Sequence, residues 1–255
     1  MKLFYRKYGA GQPLVILHGL FGQSDNWNSL AKQFAEKGFE VYLVDLRNHG
    51  LSPHSDTWNY QVMSDDILEL INEFQLKDVV LLGHSMGGKV AMQFAIQHQE
   101  LLNQLIVVDI APKYYPPHHG DVLKALNAVD FTLVKTRKEA EDILSTFITD
   151  YGTKQFLLKN IYWKENGLLE WRFNLKVIAE QIENVGEVTP DDKSCDIPAV
   201  FIRGGLSRYI LDEDINLIQD IFPRSVVETV ENAGHWVHAE KQKDFFDCVI
   251  NYITS

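Results

Sequence analysis

The run Val79-Val80-Leu81-Leu82-Gly83-His84-Ser85-Met86-Gly87-Gly88-Lys89 carries two different signals back to back. Its first half is an unbroken apolar segment of strand length. Its second half, continued by Val90, Met92, Phe94, Ala95 and Ile96, places apolar residues in a helical pattern up to His98. A Gly-x-Ser-x-Gly string set between a strand and a helix reads as a nucleophile elbow. The serine backbone is held in a strained conformation that lifts its hydroxyl clear of the sheet and turns the Met86 N–H toward the same space. Glycines flank it because side chains at Gly83 or Gly87 would run into the neighbouring strand and helix. The string alone is common, and the strand–turn–helix context is what makes it specific.

Working outward, the same alternation repeats on both sides. Leu3-Phe4-Tyr5 reads as an opening strand. Pro13-Leu14-Val15-Ile16-Leu17 and Val41-Tyr42-Leu43-Val44 are continuous apolar runs, the kind buried on both faces of a parallel sheet. Leu105-Ile106-Val107-Val108, Ala199-Val200-Phe201-Ile202 and Val226-Val227 with Val230 come after the elbow. Between the runs lie amphipathic helices. One carries Trp27, Leu30, Ala31, Phe34 and Ala35, is capped by Ser24 or Asp25 and is stopped by Gly38. A second carries Met63, Ile67, Leu70, Ile71 and Phe74, and a last one Phe245, Phe246, Val249, Ile250 and Ile253. This order predicts an α/β fold with a mostly parallel sheet covered on both sides. Residues 112–194 break the alternation, showing helical patterns over Val122 to Val129, Ala140 to Phe147 and Leu168 to Ile182 and no convincing strand. They read as a helical cap inserted into a core formed by 1–111 and 195–255.

Composition narrows the classes. The 255 residues carry a formal charge of −11, which argues against nucleic acid or an anionic membrane surface as a partner. No apolar run reaches membrane-spanning length, and the first twenty residues lack the pattern of a signal peptide. Cys195 and Cys248 stand far apart and outside any metal-ligand spacing. Reduced thiols and a cytoplasmic protein are the simplest reading, as a monomer or dimer.

His18-Gly19 after an early strand, the elbow at Ser85 and Gly234-His235 after the last strand occur in this order, together with Asp45-Leu46-Arg47-Asn48-His49-Gly50. In this combination the chain resembles the α/β-hydrolase superfamily over its whole length. Asp25-Asn26-Trp27, Gly83-His84-Ser85-Met86-Gly87-Gly88-Lys89 and Val108-Asp109-Ile110-Ala111-Pro112 make it most similar to the bacterial YbfF-type esterases. The resemblance implies ester hydrolysis without a metal or organic cofactor.

Ser85 is the candidate nucleophile, and a serine hydroxyl needs a base to take its proton. Among nine histidines, His235 stands where this fold places that base. The third member is less plain. Relatives commonly carry an acid after the strand that succeeds the cap, but there the sequence reads Arg203-Gly204-Gly205-Leu206-Ser207-Arg208, with Ser207 at the acid position. Asp109, at the end of the preceding strand, is the favoured carboxylate, a choice the YbfF-type resemblance supports. Asp212 and Asp214 stay as alternatives that otherwise serve as helix caps. The oxyanion donors are the N–H of Met86 and that of Leu20 or Phe21.

Of the other histidines, His84 packs or hydrogen-bonds beneath the turn, His18 shapes the oxyanion loop, and His238 faces solvent or the cap. His49, His118 and His119 fall in loops, the last two near the pocket mouth. Asp45 and Arg47 form a local charged turn. The substrate is a small-molecule ester of short to medium acyl chain. A thioester is the nearest variant, with Lys113, Lys124, Lys135, Arg137 and Lys138 available to meet an anionic carrier. A non-catalytic receptor using the same pocket is the reading from another class. Serine at the elbow disfavours dehalogenase or epoxide-hydrolase chemistry, which needs a carboxylate there.

Overall fold

The computed structural model describes residues 1–116, 119–165, 167–189 and 194–254. Strands β1 (Tyr5–Tyr8), β2 (Gln12–Leu17), β3 (Phe39–Val44), β4 (Val79–His84) and β5 (Leu102–Val108) precede the insertion. Within it lie β6 (Ile161–Trp163) and β7 (Leu169–Trp171), and after it β8 (Ala199–Gly204) and β9 (Ser225–Val230). Among the described residues the main sheet has seven strands in the order β1-β3-β2-β4-β5-β8-β9. β1 runs antiparallel to β3 and every other pair is parallel. The apolar runs have their cause here, since successive side chains of one strand point to opposite faces and both faces are covered. Leu14 and Ile16 of β2, with Val80 and Leu82 of β4, pack under helices α1 (Asn28–Glu36) and α10 (Gln242–Ile253). Val15, Leu17 and Leu81 face α2 (Tyr60–Glu73) and α3 (Met86–Gln97) on the other side.

The segment between β5 and β8 contains α4 (Gly120–Ala128), α5 (Arg137–Leu144), α6 (Tyr151–Leu158) and α7 (Leu175–Glu180). It also contains the antiparallel pair β6 and β7, which the sequence did not predict. Leu169 and Trp171 are buried on one side of a short hairpin whose turn is closed by Gly167, at φ +76°. Three-residue strands leave too few positions for a period of two to show, and Leu168 to Ile182 imitated a helix because α7 comes so soon after. The start of α1 also differs from expectation. Its N-cap is Trp27, with no side-chain bond, while Ser24–Trp27 forms a 3-10 turn closed by Gln23 and Asn26. No helix among the described residues is long and apolar enough to cross a membrane. The remaining short helices, α8 (Ile215–Ile221) and α9 (Val237–Glu240), flank β9.

Candidate active site

Ser85 joins β4 to α3 with φ +53° and ψ −118°, a conformation that ordinary side chains avoid. The surroundings impose it. A Cβ on Gly83 would stand 2.1 Å from the Gly87 carbonyl oxygen, and one on Gly87 would stand 2.6 Å from the carbonyls of Leu17 and His18. The strand, the helix and the neighbouring strand therefore meet backbone to backbone, and the serine absorbs the bend. Its N–H is tied to the Val108 carbonyl at 2.9 Å.

Asp109, His235 and Ser85 are brought into one hydrogen-bonded chain. His235 Nε2 lies 3.0 Å from Ser85 Oγ, and its Nδ1 lies 2.7 Å from Asp109 Oδ2. Asp109 is fully buried and its carboxylate is saturated with donors. The Gly204 N–H reaches Oδ1 at 3.1 Å, and the Ser207 hydroxyl donates to Oδ2 at 2.5 Å. The tautomer that donates from Nδ1 to Asp109 Oδ2 leaves the Nε2 lone pair facing the serine hydroxyl. Tyr209 lies parallel to the imidazole, with ring centroids 3.9 Å apart. Ser207, which occupies the position where an acid is common, thus donates to the acid instead. The two alternative carboxylates are occupied elsewhere: Asp214 accepts from Lys113 Nζ at 2.6 Å and from the Leu211 N–H, and Asp212 pairs with Arg203 at 2.7 Å.

Facing Ser85, Gly19-Leu20-Phe21-Gly22 forms a turn closed by Gly22 N–H to Gly19 O at 2.9 Å, with Phe21 at φ +58°. His18 anchors it. Its Nε2 accepts from the Leu46 N–H at 3.0 Å, so Nδ1 carries the proton and donates to Gly19 O at 2.8 Å. Burial lowers the His18 pKa to about 4, which keeps the ring neutral. Met86 is the first residue of α3, so its N–H has no acceptor within the helix. Leu20, Ser85 and Met86 line one side of a narrow cleft. Ile110, Tyr115, Ile182 and Val185 line it too, so its walls are mostly apolar and half of them come from the insertion.

His84 lies under the turn, in keeping with its place in the elbow, with Nε2 donating to the backbone carbonyl of His235 at 2.9 Å. His119 lines the cleft, and His118 lies outside the described residues. Two expectations need correction, those for His238 and for the Asp45–Arg47 pair. His238 is buried, stacked on Trp27 with ring centroids 4.0 Å apart, and burial lowers its pKa to about 3. A partner more than two hundred residues away in the chain gave no local sign. His49 lies in a loop, as expected, and is fully buried there; desolvation, with a smaller effect from the nearby His18, lowers its pKa to about 3. Asp45 does not pair with Arg47. It caps backbone N–H groups of Ser24 at 2.5 Å and Leu51 at 2.8 Å, and Gly50 is required because a Cβ there would strike its carboxylate. Arg47 instead clamps Asp66 through Nε at 2.6 Å and Nη2 at 2.8 Å.

Of the cations considered for a carrier group, Lys113 pairs with Asp214, Lys124 with Asp121, and Lys138 with Glu141 and Asp142. Lys135 and Arg137 donate to the carbonyls of Thr132 and Ile161. None of these pairings points to the cleft. Among the described residues, no cluster of His, Cys, Asp and Glu is arranged to hold a metal ion.

A family model for the alpha/beta hydrolase fold matches residues 12–242. The chain is 38% identical over 258 residues to a Xenopus tropicalis protein named sn-1-specific diacylglycerol lipase ABHD11, covering 98% of this chain and 81% of the other. It is 35% identical over 244 residues to Esterase YbfF of Escherichia coli strain K12, covering 94% and 92%. Among solved structures, one described as a marine microorganism esterase matches with a TM-score of 0.96 and 43% identity over 99% of each chain. Sheet order, elbow and sequence matches agree: the chain belongs to the α/β-hydrolase family.

Proposed function

We propose that this protein hydrolyses carboxylic esters through an acyl-enzyme, with Ser85 as nucleophile, His235 as base and Asp109 as the group that orients His235. The observation that carries this reading is the continuous chain from Asp109 through His235 to Ser85, its hydroxyl end opening on an apolar cleft. His235 Nε2 takes the hydroxyl proton as Ser85 Oγ attacks the ester carbonyl. Negative charge then collects on the carbonyl oxygen, where the Met86 N–H and a donor from the Leu20–Phe21 turn stabilise it, helped by the positive end of α3. Collapse breaks the bond to the alkoxide, which leaves with the proton held by His235. Water, deprotonated by the same imidazole, attacks the acyl-serine and the cycle closes.

The narrow, mostly apolar cleft favours an acyl chain of short to medium length, with residues 112–194 acting as its cap. The activities for which the relatives are named, an esterase and a diacylglycerol lipase, are both cleavages of oxygen esters, which favours oxygen esters over thioesters. Free thiols at Cys195 and Cys248 fit a reducing compartment such as the cytoplasm. The test is a panel of p-nitrophenyl esters of graded length with wild type and Ser85→Ala, together with labelling by a fluorophosphonate. Hydrolysis that survives in the pure alanine variant rules out the mechanism. An unlabelled Ser85 in the wild type points to a receptor instead.

A further inference from the structure

The turn opposite Ser85 holds a residue in the wrong place for its type. With an i to i+3 hydrogen bond and positive φ only at its third residue, Gly19–Gly22 has the pattern of a type II turn, whose third position favours glycine or asparagine. Phe21 occupies it, at a cost of roughly 1–2 kcal/mol. The relaxed alternative is a type I turn, reached by flipping the peptide between Leu20 and Phe21. That flip brings Phe21 back to negative φ and swings its N–H to the opposite side. The strained form persists only if contacts on both flanks hold it.

His18 holds the near flank. On the far flank the flip would leave the Phe21 carbonyl in place but move the Phe21 ring, which packs on Phe173; Asn160, between α6 and β6 in the insertion, pins the peptide on which that ring pivots. Asn160 is buried, and its Nδ2 donates to the Phe21 carbonyl at 2.8 Å. The same NH2 group faces the carbonyls of Phe156 and Leu157 at 3.4 Å, which fixes the orientation of the amide. The Asn160 backbone is itself pinned, since its carbonyl accepts from the Arg172 N–H at 2.8 Å. Two further contacts join the same elements: the Phe21 ring packs on Phe173 at 5.0 Å, and Gln23 Nε2 reaches the Lys159 carbonyl at 3.4 Å. Asn160 Oδ1 meets no protein partner among the described residues. Burying a half-matched amide costs about 1–3 kcal/mol, so a residue needed only to fill space would be better as leucine.

We infer that Asn160 is a positioning residue for oxyanion stabilisation: from the cap, it pins the Phe21–Gly22 peptide on which the strained turn pivots, and with it the N–H groups that meet the reacting carbonyl. The inference rests on the esterase reading above. It makes the cap part of the rate-determining machinery as well as a pocket wall, because displacing the β6–β7 hairpin releases the turn.

The experiment compares Asn160→Leu and Asn160→Asp with wild type, with Ser85→Ala in the same panel. Measurements are kcat and KM on a p-nitrophenyl ester, affinity for a trifluoromethyl ketone that forms a serine hemiketal, and thermal midpoint. Asn160→Leu should lower kcat about tenfold, equivalent to about 1.4 kcal/mol. KM should stay within about twofold, ketone affinity should fall in step with kcat/KM, and the midpoint should stay close to wild type. Adding Phe21→Gly, which removes the strain, should return part of the lost kcat. In Asn160→Asp the protonated carboxyl can donate to the Phe21 carbonyl and the carboxylate cannot, so its rate relative to wild type should recover as pH falls. Ketone affinity and kcat within twofold of wild type, or a loss confined to KM or to thermal stability, overturns the inference. If the leucine variant does not fold, a pH-independent rate ratio in the aspartate variant does the same. Full hydrolysis by Ser85→Ala would mean instead that the nucleophile assignment has failed.

Discussion

Two neighbouring strands end in the same unusual way. Ser85 after β4 and Asp109 after β5 both have φ +53°, and each N–H is tied to the next strand, Ser85 to Val108 O at 2.9 Å and Asp109 to Ile202 O at 2.8 Å. From there they diverge. The chain at Ser85 turns back into a helix beneath the sheet, which forces backbones together and demands Gly83 and Gly87. The chain at Asp109 runs on through Ile110 into the insertion, and ordinary side chains flank it. One turn offers its side chain to the cleft, while the other buries its carboxylate among Gly204, Ser207 and His235. A strained residue is therefore advertised by glycines only where its neighbours crowd. The same positive φ can be silent in the sequence.

The sharpest break of this pair is Ser85→Ala. On the proposed mechanism, loss of Ser85 Oγ should lower kcat by about a millionfold, as triad knockouts do elsewhere, measured on a p-nitrophenyl ester. Asp109→Asn keeps the shape but accepts less well from Nδ1, and should cost about ten-thousandfold in kcat with substrate affinity nearly intact. Gly83→Ala tests the crowding directly. A Cβ 2.1 Å from a carbonyl oxygen forces the backbone apart, so the expected loss is about 3 kcal/mol or more of stability in denaturant unfolding. Val107, two residues before Asp109 as Gly83 is before Ser85, already carries a branched side chain, so no matching sensitivity exists there.

Ser207→Ala removes one donor from the buried carboxylate. A hydrogen bond to a charged group contributes about 1.5–3 kcal/mol, so a drop of about ten- to a hundredfold in kcat is expected, smaller than that of Asp109→Asn. The two turns also differ in their titratable surroundings. The Ser85 side is backed by His18 and His238, held neutral by burial with pKa values of about 4 and about 3, and by His84, whose pKa burial holds well below its ordinary value. In the unfolded chain these rings protonate near pH 6.5, so below that value the unfolded state binds more protons than the folded one. Stability is full above pH 6.5 and drains as pH falls toward 4. His238→Phe should lower the slope of unfolding free energy against pH in that window by about 1.4 kcal/mol per pH unit, the contribution of one proton.

Most of the sheet was legible because strands covered on both faces leave continuous apolar runs, and the elbow because its glycines sit within five residues. The insertion was less so. Its hairpin strands are three residues long, and Asn160 shows nothing locally that separates it from a surface asparagine. The stacking of His238 on Trp27 and the capping of Ser24 and Leu51 by Asp45 were hidden for the same reason: each partner is supplied by another element.

By itself, then, the sequence determined the alternating architecture, the strained serine and the histidine after the last strand, all set by sterics and periodicity over a few residues. The tertiary structure decided which carboxylate reaches His235 Nδ1. Asp109 meets it because β5 lies beside β8, which sends Gly204 to one oxygen of its carboxylate and Ser207 to the other, while Asp214 is held by Lys113 and the Leu211 N–H. Hydrogen-bond partners a hundred residues apart are chosen by strand order, and no short window of sequence records that order.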